Sequence, residues 1–381
     1  MADMSNPYSS LPETAFWRAA VAEHHFLDIA GLWTPKVNLR QRDAVATYGS
    51  CFAQHIGRSL RDRGYRWLRT ETAPKDLSAA NGTKFGYELF SARTANIYTA
   101  TLLRQWTAWA AGEATPPNEL WREGERWIDP FRPKIEPQGF ASADELLKMR
   151  AHTIECFRAS IAECRIFVFT LGLTESWVNA RDGYEYPMCP GTAGGTFDPA
   201  LHRFVNLDYD AIRSALLQSF KMMRKINPRI RFILTVSPVP LTATMSGQHV
   251  LPATMLSKSV LRAVAGSLAA AQETVDYFPS YEIINSPVFR GSFFEPNLRS
   301  VSHHVVAHVM NMFFSCLHAI FGAEDAADTP PRGPADTPEA VDSAPTRKAE
   351  RNTRRRARRA AGKGEDEVCE EALLGAFGAP G

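Results

Sequence analysis

The chain has 381 residues, 45% hydrophobic and 22% charged, with a formal net charge of +2. These values describe an ordinary globular protein of one large domain or two small ones, and no exotic class is needed. Six cysteines are scattered without a CxxC pair or a Cys/His cluster, so neither a disulfide framework nor a zinc site is expected. The N-terminus lacks a basic start followed by an apolar run. No window reaches the roughly 18 uncharged apolar residues of a membrane span, so a cytoplasmic protein without a transmembrane segment is expected.

The first clear element is the apolar run Val45-Ala46-Thr47, which leads into Gly49-Ser50-Cys51. Beyond it Phe52, Ile56 and Leu60 fall at helical spacing and Gly64 follows as a cap, so the stretch reads as strand, tight turn, helix. Such a turn aims small side chains and the first backbone N–H groups at one point beside the positive end of a helix, a place for a nucleophile or an anion. The plainer alternative is that Gly49 and Ser50 only make the turn and cap the helix. Cys51 is a rival nucleophile at the helix start, or a small residue packed behind the turn.

Further strands are expected at 165–171, 231–236 and 276–284, and helices at 52–63, 94–111, 142–163, 208–226, 257–272 and 302–320. This alternation predicts a three-layer α/β/α sandwich around a mainly parallel sheet, with the chemistry at the C-terminal strand ends. Those ends carry Gly49-Ser50-Cys51, Gly172-Leu173-Thr174-Glu175 and Ser237-Pro238-Val239-Pro240. Between the first two strands, Trp106, Trp109, Trp121 and Trp127 either present faces for a sugar or staple an irregular wall to the core. The Gly-rich stretch 186–204 contains GTAGG, which is no phosphate loop because no Lys-Ser/Thr follows it.

A serine hydrolase needs a nucleophile on a sharp turn, a base within reach and N–H donors where the oxyanion forms. Ser50 meets the first need. The backbone N–H groups of Ser50 and Gly172 are candidate oxyanion donors, assisted by Asn96 or Thr174, and the loop at Gly86 is a further candidate source of donors. Glu175 is either an acid/base group or a structural carboxylate. Late in the chain His303, His304 and His308 open the last long helix, as a base or as solvated caps.

GSCFA at 49–53 resembles the signature of the GSCFA-domain family. The likeness extends to LPETAFWRAAV (11–21), NIYTA (96–100), FVFTLGLTESW (167–177), YPMCPGT (186–192), LTVSPVPL (234–241), SKSVLRA (257–263), YFPSYEI (277–283) and LRSV (298–301). That family is grouped with the SGNH (GDSL-like) hydrolases, which cleave or transfer acyl esters, often acetyl groups on glycans. The resemblance implies Ser50 as the first-block nucleophile, Gly86 or Asn96 near the second-block donor, and Gly172 at the third block. Two features depart from the SGNH pattern. Thr174 stands where Asn is usual, and Ser300 and Val301 stand three residues before His303 and His304, where many relatives carry an acid.

The function expected is therefore a serine-dependent acyl-ester hydrolase or acyltransferase, without cofactor or metal, acting on an O-acylated carbohydrate of exopolysaccharide type or a small ester. The alternative is a non-catalytic carbohydrate- or acyl-binding module that keeps the pocket. The domain is expected to span 1–322, followed by a flexible low-complexity tail over 323–381. Within the tail, residues 347–363 carry nine Lys and Arg against one acid. This run either contacts nucleic acid or another polyanion or is a solvated extension.

Overall fold

The computed structural model describes residues 6–322, Cys369 and Leu373–Leu374, with His303 described in its backbone only. In chain order, β1 (Val45–Gly49) is followed by α1 (Ala53–Asp62), α2 (Ala79–Lys84) and α3 (Ala100–Ala111). A hairpin of β2 (Trp121–Glu123) and β3 (Arg126–Ile128) precedes α4 (Ala143–Glu163). Next come β4 (Ile166–Leu171), β5 (Glu175–Asn179), β6 (Glu185–Tyr186), β7 (His202–Asn206) and α5 (Tyr209–Ile226). The chain continues through β8 (Arg231–Val236), α6 (Val250–Ala271), β9 (Val275–Tyr277), α7 (Ser280–Asn285) and α8 (His303–Phe321).

Every residue of β1 and β4 is buried, which suits strands covered on both faces. They form a parallel sheet in the order β1-β4-β8-β9. Residues 66–68 run along its outer edge, where the Val45 N–H donates to Arg66 O at 3.0 Å and the Leu68 N–H to Val45 O at 2.8 Å. Side chains alternate across the sheet. Tyr48, Phe167, Phe169, Phe232 and Leu234 face the layer of α3, α4, α5 and α6, where Trp106, Phe157, Phe220 and Leu261 pack. Val45, Ile166, Val168 and Ile233 face α1, α7 and α8 through Ile56, Leu60, Ile284, Val309 and Phe313. Each fully buried side chain of this size contributes about 1.5–3 kcal/mol, so both helical layers are held by burial.

The architecture follows the expected three layers, and particular segments differ for local reasons. The helix expected over 94–111 starts only at Ala100, where the Thr99 hydroxyl accepts the Leu102 N–H at 3.0 Å. Residues 96–98 are instead laced between strand ends, as described below. The strand expected over 276–284 stops at Tyr277, because Pro279 and Ser280 open α7. The α6 helix begins at Val250, before the expected 257, with the His249 Nδ1 accepting the Leu251 N–H at 3.1 Å and Pro252 in the first turn. The Gly-rich stretch connects two strands of an antiparallel sheet, β6-β5-β7, in which Trp177 lies opposite both Tyr186 and Phe204.

The tryptophans are staples: Trp106, Trp109 and Trp121 are buried. Their wall is fixed to α4 by a buried ionic cluster. Arg132 Nε donates to Asp129 Oδ2 at 2.8 Å, and Arg150 Nη2 lies 2.9 Å from Asp129 Oδ1. Burial alone would raise the Asp129 carboxyl, but Arg132 and Arg150 overcome it and hold the group below its ordinary value.

Among the described residues, only α8 is long and apolar enough to cross a bilayer, over His304–Phe321. Half of that window is buried, as in the core helix of a globular domain. The basic run 347–363 lies outside the described residues.

Candidate active site

Ser50 is the pivot between β1 and α1. Its N–H donates to Thr170 O at 3.0 Å, closing the strand ladder, and its carbonyl accepts the Ala53 N–H at 2.9 Å, opening the helical turn. Gly49 makes this junction possible. Its φ is +133°, and a Cβ there would stand 2.3 Å from Thr170 O. Ser50 is 2% exposed, and its Oγ is buried with no hydrogen-bond partner among the described residues. The Thr170 Oγ1, on the neighbouring strand end, is in the same condition. A buried hydroxyl without a partner asks for a physical explanation, and a reacting group is one.

Three segments converge on this turn. The Ile97 N–H donates to Gly49 O at 2.8 Å, and Tyr98 O accepts the N–H groups of Gly172 and Leu173, each at 3.0 Å. Residues 96–98 thus bridge the ends of β1 and β4. Asn96 is buried at the near end of the bridge. Its Oδ1 accepts from Gln54 Nε2, in the first turn of α1, at 3.3 Å. Gly172 completes the wall, since a Cβ there would lie 3.0 Å from Ser50 Cβ.

A clamp on α6 holds the Gly172 turn. Lys258, 1% exposed, donates from Nζ to Gly172 O at 2.6 Å, and the adjacent Ser257 Oγ accepts the Thr174 N–H at 3.2 Å. Sequence reasoning passed over Lys258. Its signal is periodicity: Lys258 shares a helical stripe with the buried Leu261, Ala265 and Leu268.

The family comparison can be read on this geometry. A match to the GSCFA family covers residues 44–313, from the residue before β1 into α8. The chain belongs to the GSCFA family. No curated protein and no solved structure matches it. The GSCFA match therefore takes in every strand of the parallel sheet and all three segments around Ser50.

Other sequence candidates of this GSCFA chain lie elsewhere or have other tasks. The N–H groups of Ser50 and Gly172, expected to hold an oxyanion, are both engaged by backbone carbonyls. Gly86, with φ +74°, packs on Ile135 beside the Arg93 cluster, whereas Asn96 adjoins Ile97, which bonds to Gly49 O at the turn. The Thr174 hydroxyl donates to Asn206 Oδ1 at 2.7 Å. Glu175 accepts from the Thr244 hydroxyl and from the Met245 N–H at 3.2 Å, the role of a structural carboxylate. Cys51 is buried, in keeping with packing behind the turn.

The histidines follow from helix register. Arg63 Nη2 donates to Asn311 Oδ1 at 2.5 Å, and the Tyr65 and Phe314 rings lie 4.8 Å apart. Arg63 Cζ also lies 4.8 Å from the centroid of the Phe314 ring, so α8 packs on the C-terminal end of α1 through residues near the middle of its own length. His303 opens α8 about two turns before Asn311, and the adjacent His304 is exposed. His308 lies one turn further on. It lines a cavity of about 440 Å³ between α8 and residues 27–34, where burial lowers its ring below the ordinary value. Among the described residues no group of three His, Cys, Asp or Glu is placed to hold a metal ion.

Proposed function

We propose that this GSCFA protein is a serine-dependent acyl-ester hydrolase or acyltransferase of the SGNH (GDSL-like) type, acting on an O-acylated carbohydrate or a small ester. The single observation that carries the reading is Ser50: a buried hydroxyl with no hydrogen-bond partner among the described residues, on a sharp strand-to-helix pivot backed by Gly172.

In this reading Ser50 Oγ attacks the ester carbonyl carbon while its proton passes to an imidazole nitrogen at the start of α8, His303 or His304. The carbonyl π pair moves onto oxygen, and the oxyanion is met by the donor end of Asn96 with the positive end of α1 behind it. Collapse returns the proton to the departing alcohol and leaves an acyl-serine. Water, or an acceptor hydroxyl, then attacks that acyl group by the same route. Lys258 acts as a positioning residue, fixing the Gly172 turn against which Ser50 rests.

The test is a fluorophosphonate probe with mass spectrometry of the labelled peptide. Covalent label on Ser50 supports the reading; an unlabelled, folded protein contradicts it.

A second reading, a non-catalytic carbohydrate- or acyl-binding module, is favoured by the segment before α8. Ser300 stands where an acid would orient His303, and its hydroxyl accepts from Asn297 Nδ2 at 3.0 Å within a local turn. Saturable binding of an acetylated sugar without any Ser50 labelling would select it.

A further inference from the structure

Two described residues beyond Gly322, Cys369 and Leu374, meet the domain. Arg299 Nη2 donates to Cys369 Sγ at 3.8 Å, and Arg299 lies four residues before His303 in the segment that leads into α8. Leu374 lines a cavity of about 50 Å³ together with Tyr98, Leu173, Trp177, Met188 and Leu241. Tyr98 and Leu173 are the residues whose backbones bond across the Gly172 turn, so this cavity adjoins the wall of the Ser50 site. Leu374 is five positions after Cys369, a reach of at most about 18 Å. Cys369 thus meets the approach to α8, and Leu374 shares a cavity with the residue after Gly172, whose missing Cβ faces Ser50.

We propose that the cavity beside Gly172 is an apolar subsite of the Ser50 cleft, and that its ligand in the resting chain is the chain's own C-terminal segment, seated through Leu374. The walls fit an aliphatic group, since Leu173, Met188, Leu241 and Ala243 supply apolar surface and Trp177 a ring. The ligand is intramolecular, so its effective concentration is on the order of millimolar, and a half-buried leucine at that concentration is displaceable. Resting on the reading of Ser50 as a nucleophile, the same subsite takes the apolar end of an acyl group. The segment then competes with substrate: it raises KM and leaves kcat unchanged.

The test uses the full-length chain. A fluorescein-labelled peptide of residues 365–381 is titrated into wild type and into Leu374→Asp, followed by anisotropy. Leu374→Asp is expected to bind saturably and wild type at least about tenfold more weakly, because its own Leu374 competes. Adding Ala243→Phe to the Leu374→Asp chain fills the cavity from its wall and abolishes peptide binding. Equal binding to both chains, or none to Leu374→Asp, overturns the proposal. Turnover of p-nitrophenyl butyrate separates this from the catalytic reading. Peptide binding without turnover in either chain supports the subsite and removes the esterase; identical turnover in both chains without peptide binding does the reverse.

Discussion

Gly172 backs onto Ser50: a Cβ at position 172 would stand 3.0 Å from Ser50 Cβ and 3.0 Å from Tyr98 O. Ordinary contacts need several tenths of an ångström more, and Tyr98 O is held by the N–H groups of Gly172 and Leu173. The side chain that must move is therefore Ser50. Gly172→Ala is expected to cost about 1–3 kcal/mol of stability by overpacking. Its larger effect is on Ser50, with at least about a tenfold drop in kcat/KM for p-nitrophenyl acetate, since a small misplacement of a reacting group is costly. Steady-state kinetics beside a thermal melt checks this, and full activity in a destabilised Gly172→Ala protein would sink it.

Gly49 bears on the fold more than on the chemistry. Alanine there meets both an unfavourable φ of +133° and the Thr170 carbonyl at 2.3 Å. Urea denaturation of Gly49→Ala should show a loss of roughly 3 kcal/mol or more. Gly31→Ala is the control, because Gly31 has a φ of +69° but nothing within 4 Å of its missing Cβ. Its cost should stay near 1–2 kcal/mol, that of a left-handed residue alone. Equal losses at the two sites would mean that β1 and β4 do not need the close approach.

Lys258→Met keeps the buried stem and removes the donor to Gly172 O. The lost bond is worth about 1–3 kcal/mol in stability. If Lys258 fixes the Gly172 turn for catalysis, kcat falls further than stability predicts while KM holds. A Lys258→Met enzyme with unchanged kcat would reduce Lys258 to a packing residue.

Asp129 sets an acid limit on the domain. Its folded-state value is depressed, because Arg132 and Arg150 outweigh the opposing effect of burial. A depressed carboxyl contributes stability that is present above its unfolded value of about 3.8–3.9 and is lost as pH falls through the folded value. Stability measured by urea melts should therefore fall with acidification below about pH 4. Asp129→Asn should remove that slope and, by leaving two buried guanidinium groups without their anion, cost about 3–5 kcal/mol near neutrality. An unaltered acid slope in Asp129→Asn would assign it to other carboxyls.

Much of this was legible in the sequence, for identifiable reasons. The apolar runs 165–171 and 231–236 coincide with β4 and β8 to within a residue, because strands buried on both faces need uninterrupted apolar character. The turn at Ser50 was legible because glycine and a helical stripe adjoin it. Residues 94–98 read locally as helix, but their structure is set by non-local bonds to Gly49 and Gly172, which no local period records. The short strands β5, β6 and β7 carry no clear local signal because they are half-polar and the connections between them hold the Gly and Pro residues. Donor assignment at Ser50 and Gly172 required knowing that both N–H groups meet carbonyls, and Lys258 required knowing which stripe of α6 is buried.

In the proposed function Ser50 serves chemistry at the expense of local satisfaction. Replacing it by alanine removes a buried hydroxyl that has no partner among the described residues, so Ser50→Ala should fold with stability unchanged or raised by up to about 1–3 kcal/mol. The most direct measurement pairs that urea melt with turnover of p-nitrophenyl acetate and acetylated sugars by the same protein. The account predicts undiminished stability together with loss of turnover by at least about a thousandfold. Turnover equal to wild type in a folded Ser50→Ala protein would contradict it.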